Sequence, residues 1–581
     1  MHKKESGPGS AEGLNWFKRE FNIFTGKAIT LKELLEQLRP NDSASTKKAI
    51  EALKDCRLQY KRFAFFLEYF FPDEAFIFNG PPVQEIDPFQ DEVIDPAGLQ
   101  LIESLLYEGN AYRNREELVK QADLLVRSSE IFPLSLNDFK TQGPEVLTSI
   151  HLELVRIMTL YITGYDAPRI KTGIVEAHES LSAIDSALAI YTENDPHRDS
   201  IRYYMGAGEK YLDAHPDFDS FDRLAFITRY AQPLEKYLNQ LIRKSAPDPN
   251  SFTALNPRAD NLFTAAALDK NAFPHSENEK DTAIAGLGKR LFFESFLSGG
   301  RSRSCASCHS PAAYFTDGMP RNRSLDGKSD LPRNTPSLFY AGYQYNQFWD
   351  GRVGSLDEQI NAVLNNKSEM NSSADTITKR LERVPGYVTA FKKIWPTDSA
   401  IGFNRVAGAL AAYIRNLAPF RSAFDRYMQG DRSALSLNQQ KGFNLFMGKA
   451  QCGTCHFAPL FNGLLPPQYK TTEFEILGTP ADDHLEKAKA DSDQGLFTLF
   501  PDPHNKGAFK TPTVRNAAVT PPYMHNGGFS TLEKVIDFYD KGGGAGLGLN
   551  VPEQTLSSIP LHLSDQEKTD LVAFIQSLTD K

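Results

Sequence analysis

The chain has 581 residues, 41% hydrophobic and 24% charged, an ordinary globular composition with length for three or four domains. Its formal net charge of -9 is carried without long single-sign runs, which argues against a nucleic-acid partner and leaves a basic protein partner open. No apolar run approaches the roughly eighteen residues that a membrane span needs.

The opening stretch, residues 1–13, is polar and lacks a signal-peptide core. Lys3-Lys4-Glu5-Ser6 followed by Gly and Ser suits a tether behind a removed lipoprotein signal, hence a lipid anchor. From residue 11 to about 245 the pattern is helical. In Ser43–Phe71, Ile50, Leu53, Leu58, Phe63, Phe66 and Leu67 recur at helical spacing, with Asn41, Asp42 and Ser43 as candidate caps and Pro72 as the stop. Similar patterns cover 97–107, 114–128, 142–164, 173–192, 198–213 and 220–243. The expectation is an all-helical domain, residues 1–245, with Cys56 as a buried small hydrophobe. His151, His178, His197 and His215 lie there in no metal-binding spacing and read as structural or surface residues.

Residues 246–260, rich in Pro, Ser and Asn, read as a linker. A second unit spans 261–433, with helices at 283–293, 355–364, 374–394 and 403–416. A third spans 434–581, with helices at 437–447, 531–540 and 564–578. Long irregular segments, 310–350 and 457–510, follow the first helix of each and suit a chain wrapped around a bulky group.

Each of these units carries one C-x-x-C-H: Cys305, Cys308, His309 and Cys452, Cys455, His456. This pattern attaches c-type haem: two thioethers fix the porphyrin and the adjacent histidine binds iron. A zinc knuckle would need four ligands close together, but the motifs start 147 residues apart. A redox dithiol would need neither the histidine nor a second copy. Four of the five cysteines are used, so two covalently bound haems are expected. The fold class expected is mainly α: two tandem cytochrome c-like domains preceded by the helical domain. Covalent haem points to a periplasmic or otherwise extracytoplasmic location.

The run Leu287–Phe293, then Leu297-Ser298, CASCH, Arg333-Asn334-Thr335-Pro336, Phe348–Arg352, Glu369-Met370, Thr511–Asn516 and Pro522–Gly527 resembles the bacterial di-haem cytochrome c peroxidase and MauG family over about 280–581. The resemblance implies a peroxidase acting on hydrogen peroxide. His309 is then the proximal ligand of an open first haem, and Glu369 the acid–base group above it. Gln359 matches a glutamine lining the same pocket, while a proline usual a few residues later is Val363. Standing alone, Glu369 would read as a solvated helix-start residue. Arg323–Lys328 matches a loop that often carries a blocking histidine and has none here, so the first haem is expected open at rest.

The resemblance makes His456 the proximal ligand of a second, six-coordinate haem. Its other ligand is usually methionine; the matching position, fourteen residues past His525, is Tyr539, as in MauG-like members. Unless it is simply packed in its helix, this tyrosine favours sharing oxidising equivalents over two irons. Trp349 matches the tryptophan between the haems, although Trp in apolar sequence is often core. Asn334, Thr520 and Pro522 match a calcium site of the family. The implied partners are an electron donor, such as a small cytochrome c or cupredoxin, or an oxidisable partner protein. A plain electron-transfer cytochrome is the third reading.

Overall fold

The computed structural model describes residues 11–87, 92–107, 109–245, 253–274 and 282–581. Residues 1–10 and 246–252, where the tether and the start of the linker were expected, lie outside them. The structure is mainly helical, and it divides into two compact units. The first takes the chain up to Ala267 together with Phe443–Thr454 and Pro466–Gln468; the second takes the remainder. The described end of the expected linker is folded into the first unit: Ala254 is buried and its N–H donates to the Gln468 carbonyl at 2.8 Å.

Where observed helices depart from the expected ones, backbone chemistry accounts for most of it. The 43–71 span breaks into Ser43–Lys61 and Ala64–Phe70, and Pro72 starts the next helix, Pro72–Asn79. Proline tolerates the first helical position, where its missing N–H has no partner to lose. The 374–394 span likewise divides into Ala374–Glu382 and Pro385–Ile394 around extended Val384. Two further spans pass through single π-helical turns, Ile157–Tyr161 and Ile227–Ala231. Two short antiparallel ladders pair Glu85–Asp87 with Glu92–Ile94 and Phe474–Ile476 with Ala508–Lys510.

The first unit has an interior that is both aromatic and ionic. Phe17, Phe21, Phe24 and Phe63 are buried against one another, and Cys56 is fully buried. Alongside them Arg57 holds Glu176 through Nε–Oε1 at 2.7 Å and Nη2–Oε2 at 3.2 Å. Lys61 pairs with Asp166 and lies over the Tyr161 ring, and Arg156 pairs with Glu68 at 2.5 Å and Glu153 at 3.1 Å. His151 is buried against Glu235 at 3.1 Å.

The second unit repeats one construction. Helices Thr282–Phe292 and Phe403–Arg415 cross so closely at Gly288 that a Cβ there would stand 1.7 Å from the Ala409 carbonyl oxygen. Leu437–Phe446 and Asp565–Ser577 cross in the same way, Gly442 against the Asp570 carbonyl at 1.9 Å. Only glycine permits such an approach. Among the described residues no helix is long and apolar enough to cross a membrane.

Candidate active site: two haem-attachment turns

Each motif begins in a short 3-10 turn, Cys305–Ser307 and Cys452–Thr454. The first is held by a reciprocal cap between Ser304 and Ser307, and the His309 N–H donates to the Cys305 carbonyl at 2.9 Å. The second is tied by the Thr454 hydroxyl, which donates to the Gln451 carbonyl at 2.7 Å. None of these four cysteines is in a disulfide. Burial pushes Cys305 and Cys452 up to about 12 and Cys308 up to about 11. A reactive dithiol does the reverse, stabilising its thiolate. No cluster of three or more His, Cys, Asp or Glu that could hold a metal ion occurs among the described residues.

The histidines fit haem iron. His309 Nδ1 lies 3.0 Å from the Phe315 carbonyl oxygen, with the Pro336 carbonyl also facing the ring. His456 Nδ1 lies 2.9 Å from the Pro512 carbonyl oxygen, with the Phe461 carbonyl facing it. A carbonyl only accepts, so Nδ1 carries the proton and Nε2 keeps its lone pair for a metal. Burial lowers both imidazoles, His456 to about 4, which also holds them neutral and ligand-ready. Each motif then folds back on a β-bridge, Ser310 to Thr316 and Phe457 to Asn462. The residues thus suit one covalent c-type haem per motif.

Glu369 lies just beyond helix Leu356–Asn365, which Ser355 caps and Gln359 occupies half-buried in its first turns. Its carboxylate accepts from Asn366 Nδ2 at 2.7 Å. Burial raises its pKa, opposed by Arg352, by the Asn366 hydrogen bond and by Arg303. The same charge raises the Cys308 thiol, so this carboxylate stands beside the first attachment turn. The 323–330 loop is closed on itself: Arg323 pairs with Asp330 at 2.8 Å and Ser324 N–H donates to the Ser329 carbonyl at 2.8 Å.

Trp349 is half-buried, and its indole N–H donates to the Asn334 main-chain carbonyl at 3.0 Å. Asn334 Nδ2 donates to the Met319 carbonyl at 2.9 Å and its N–H to the His525 carbonyl at 2.7 Å. Trp349 and Asn334 are therefore brought together. Thr520 and Pro522 lie two residues apart in the loop before helix Leu532–Asp540, and the Thr520 hydroxyl donates to the Asn516 carbonyl at 3.2 Å. Tyr539 is half-buried in the last turn of that helix, its ring 5.6 Å from Phe538.

Several neighbours escaped the sequence reading. Asp350 accepts from Arg333 at 2.5 Å and from Arg352 at 2.9 Å, and Arg333 also grips Asp493. Lys510 is buried; its N–H donates to the Trp349 carbonyl and its amine to the Gln344 carboxamide and the Asn346 carbonyl, and burial lowers it to about 7. Glu475, in the Phe474–Ile476 strand, has its pKa raised by burial and is hydrogen-bonded by the Cys455 thiol and the Thr555 hydroxyl. One signal was present in the sequence. A Thr-Pro pair follows each motif, at 335–336 and 511–512, and each proline carbonyl faces the motif's histidine.

The paired turns and repeated helix crossings define a di-haem c-type cytochrome. The family described as di-haem cytochrome c peroxidase matches residues 282–433. Over 348 residues the chain is 36% identical to cytochrome-c peroxidase IdrP1 of a Pseudomonas species, covering 55% of this chain and 89% of the relative. It is 36% identical over 306 residues to the methylamine utilization protein MauG of Methylorubrum extorquens, covering 52% and 81%. With cytochrome c551 peroxidase of Pseudomonas aeruginosa the identity is 31% over 348 residues, 59% and 92% of the two chains. The chain belongs to the di-haem cytochrome c peroxidase and MauG family, a mainly α protein with two haems and a peroxidase-type oxidoreductase acting on hydrogen peroxide.

Proposed function

We propose that hydrogen peroxide is reduced at an open first haem held by Cys305, Cys308 and His309, with electrons relayed from an external donor through a second haem on Cys452, Cys455, His456 and Tyr539. The observation that carries this is Glu369: a carboxyl beside the first turn, its pKa raised by burial yet held in check by two arginines. Bound haem supplies an iron that takes the oxidant and a second that stores electrons. The chain's own residues handle protons and position. Glu369 accepts a proton from one peroxide oxygen and returns it to the other. Gln359 lines the same pocket. The absence of histidine from Arg323–Lys328, in a loop closed by its own hydrogen bonds, leaves the site open at rest.

Trp349 is the relay between the haems. Asn334, with the Thr520 and Pro522 carbonyls, holds calcium; Asn334 Oδ1 is suited to it because Nδ2 is already committed to protein carbonyls. The division into a helical domain 1–245, a peroxidatic domain 261–433 and an electron-transfer domain 434–581 belongs to this reading. So do a periplasmic or other extracytoplasmic location and a small cytochrome or cupredoxin as donor.

A second reading, oxidation of side chains on a partner protein, is favoured by Tyr539: a phenolate ligand stabilises higher oxidation states where methionine would favour reduction. Peroxide consumption with a reduced small cytochrome, against mass spectrometry of a partner protein after peroxide treatment, separates the two. Protein ligands on both faces of both irons in the oxidised protein, with no response to peroxide, would refute the first.

A further inference from the structure

Arg303 is two residues ahead of Cys305, in a segment that embraces Glu369. Its Nη2 donates to the carbonyls of Arg323 at 3.0 Å and Ser324 at 3.3 Å. The loop so held donates Leu325 N–H to the Ser368 carbonyl at 2.7 Å, immediately before Glu369. From the other side Gly299 N–H donates to the Met370 carbonyl at 2.7 Å, immediately after it. Two segments thus bracket Glu369, and Arg303 ties them together. Its charge acts on both the Glu369 carboxyl and the Cys308 thiol, lowering each. The other arm of the fork, Nη1, is buried and has no hydrogen-bond partner. A buried guanidinium N–H left unpaired is costly, and the cost is recovered when an anion arrives.

We infer that Arg303 Nη1 is the anion-holding donor of the peroxide pocket. This rests on the reading that the first haem is open and that Glu369 acts above it. When hydrogen peroxide gives one proton to the Glu369 carboxylate, the products are a carboxylic acid and a hydroperoxide anion. The new negative charge then meets a fixed guanidinium N–H, and the proton transfer becomes easier.

Fluoride tests this in the full-length ferric protein, with imidazole as the neutral probe, both titrated by the visible spectrum of the first haem. The expected result is a fluoride affinity about tenfold lower in Arg303→Met, the scale of a hydrogen bond to a charged group, with imidazole binding unchanged. Arg303→Lys retains a charge but lacks the second arm; it gives the same selective loss if the methionine variant fails to load haem. Unchanged fluoride affinity overturns the inference, and so does an equal fall for both probes, which marks Arg303 as a loop clamp. A shifted reduction potential of the first haem with unaltered fluoride binding also overturns it, assigning Nη1 to a porphyrin carboxylate. If the unmodified protein binds neither probe, the open-haem reading fails first and takes this one with it.

Discussion

The two attachment turns share a frame and differ in the carboxyl group beside each. In both, a phenylalanine carbonyl and a proline carbonyl face the histidine ring. Beside the first, Glu369 is raised by burial and pulled back by Arg352 and Arg303. Beside the second, Glu475 is raised by burial and restrained only by hydrogen bonds from Cys455 and Thr555. Thioether formation removes the Cys455 donor, one of the two hydrogen bonds that oppose burial at Glu475. Burial raises the same residue type at both turns, but charged neighbours oppose it only at the first. Opposing charges, rather than burial alone, make the difference.

The largest test of this contrast is Glu369→Gln. It removes the proton acceptor and keeps the shape, so the stopped-flow rate of the peroxide reaction falls about 10²–10⁴-fold while the second haem's spectrum is unchanged. In the unmodified protein the rate falls with pH through the raised Glu369 value, because only the carboxylate accepts a proton; a profile breaking at or below 4.5 would remove that assignment. Tyr539→Met comes next. A thioether in place of a phenolate raises the second haem's reduction potential, read by spectroelectrochemistry, and an unmoved potential removes Tyr539 from the iron.

Glu475→Gln should change little: no charged neighbour opposes burial there, and the amide of the same shape alters the peroxide rate less than about threefold. A loss comparable to that of Glu369→Gln would erase the contrast. The smallest effect is at Lys510. Folding lowers its pKa from 10.5 to about 7, so between those values the unfolded chain holds a proton that the folded one does not. Stability then rises with pH across that window, by up to about 1.4 kcal/mol per pH unit, and the penalty of burying the ammonium is fully present below about 7. Lys510→Met flattens this slope in denaturant titrations at successive pH values.

The haem turns and the helical character were legible because both are local: five adjacent residues, or one period of 3.6. Proline positions were read less well. Pro72 reads as a stop and Pro385 falls inside the expected 374–394 helix, yet each opens a helix, since the first turn does not need its N–H. The π-turns at 157–161 and 227–231 leave no mark in apolar spacing beyond a phase slip. Arg303, Glu475 and Lys510 were invisible for another reason. Their roles come from what burial and tertiary neighbours do to ordinary side chains. The repeated Thr-Pro pairs were readable, but their meaning appears only when both proline carbonyls are seen against the two imidazoles.

The indole of Trp349 ends on a peptide carbonyl. An amide oxygen is too feeble a base to strip even an electron-deficient indole of its hydrogen. A vacancy stepping onto this ring would therefore travel unaccompanied and reversibly, with no partner atom to fetch back before the next passage. Crossing should proceed at the same speed in heavy water as in light.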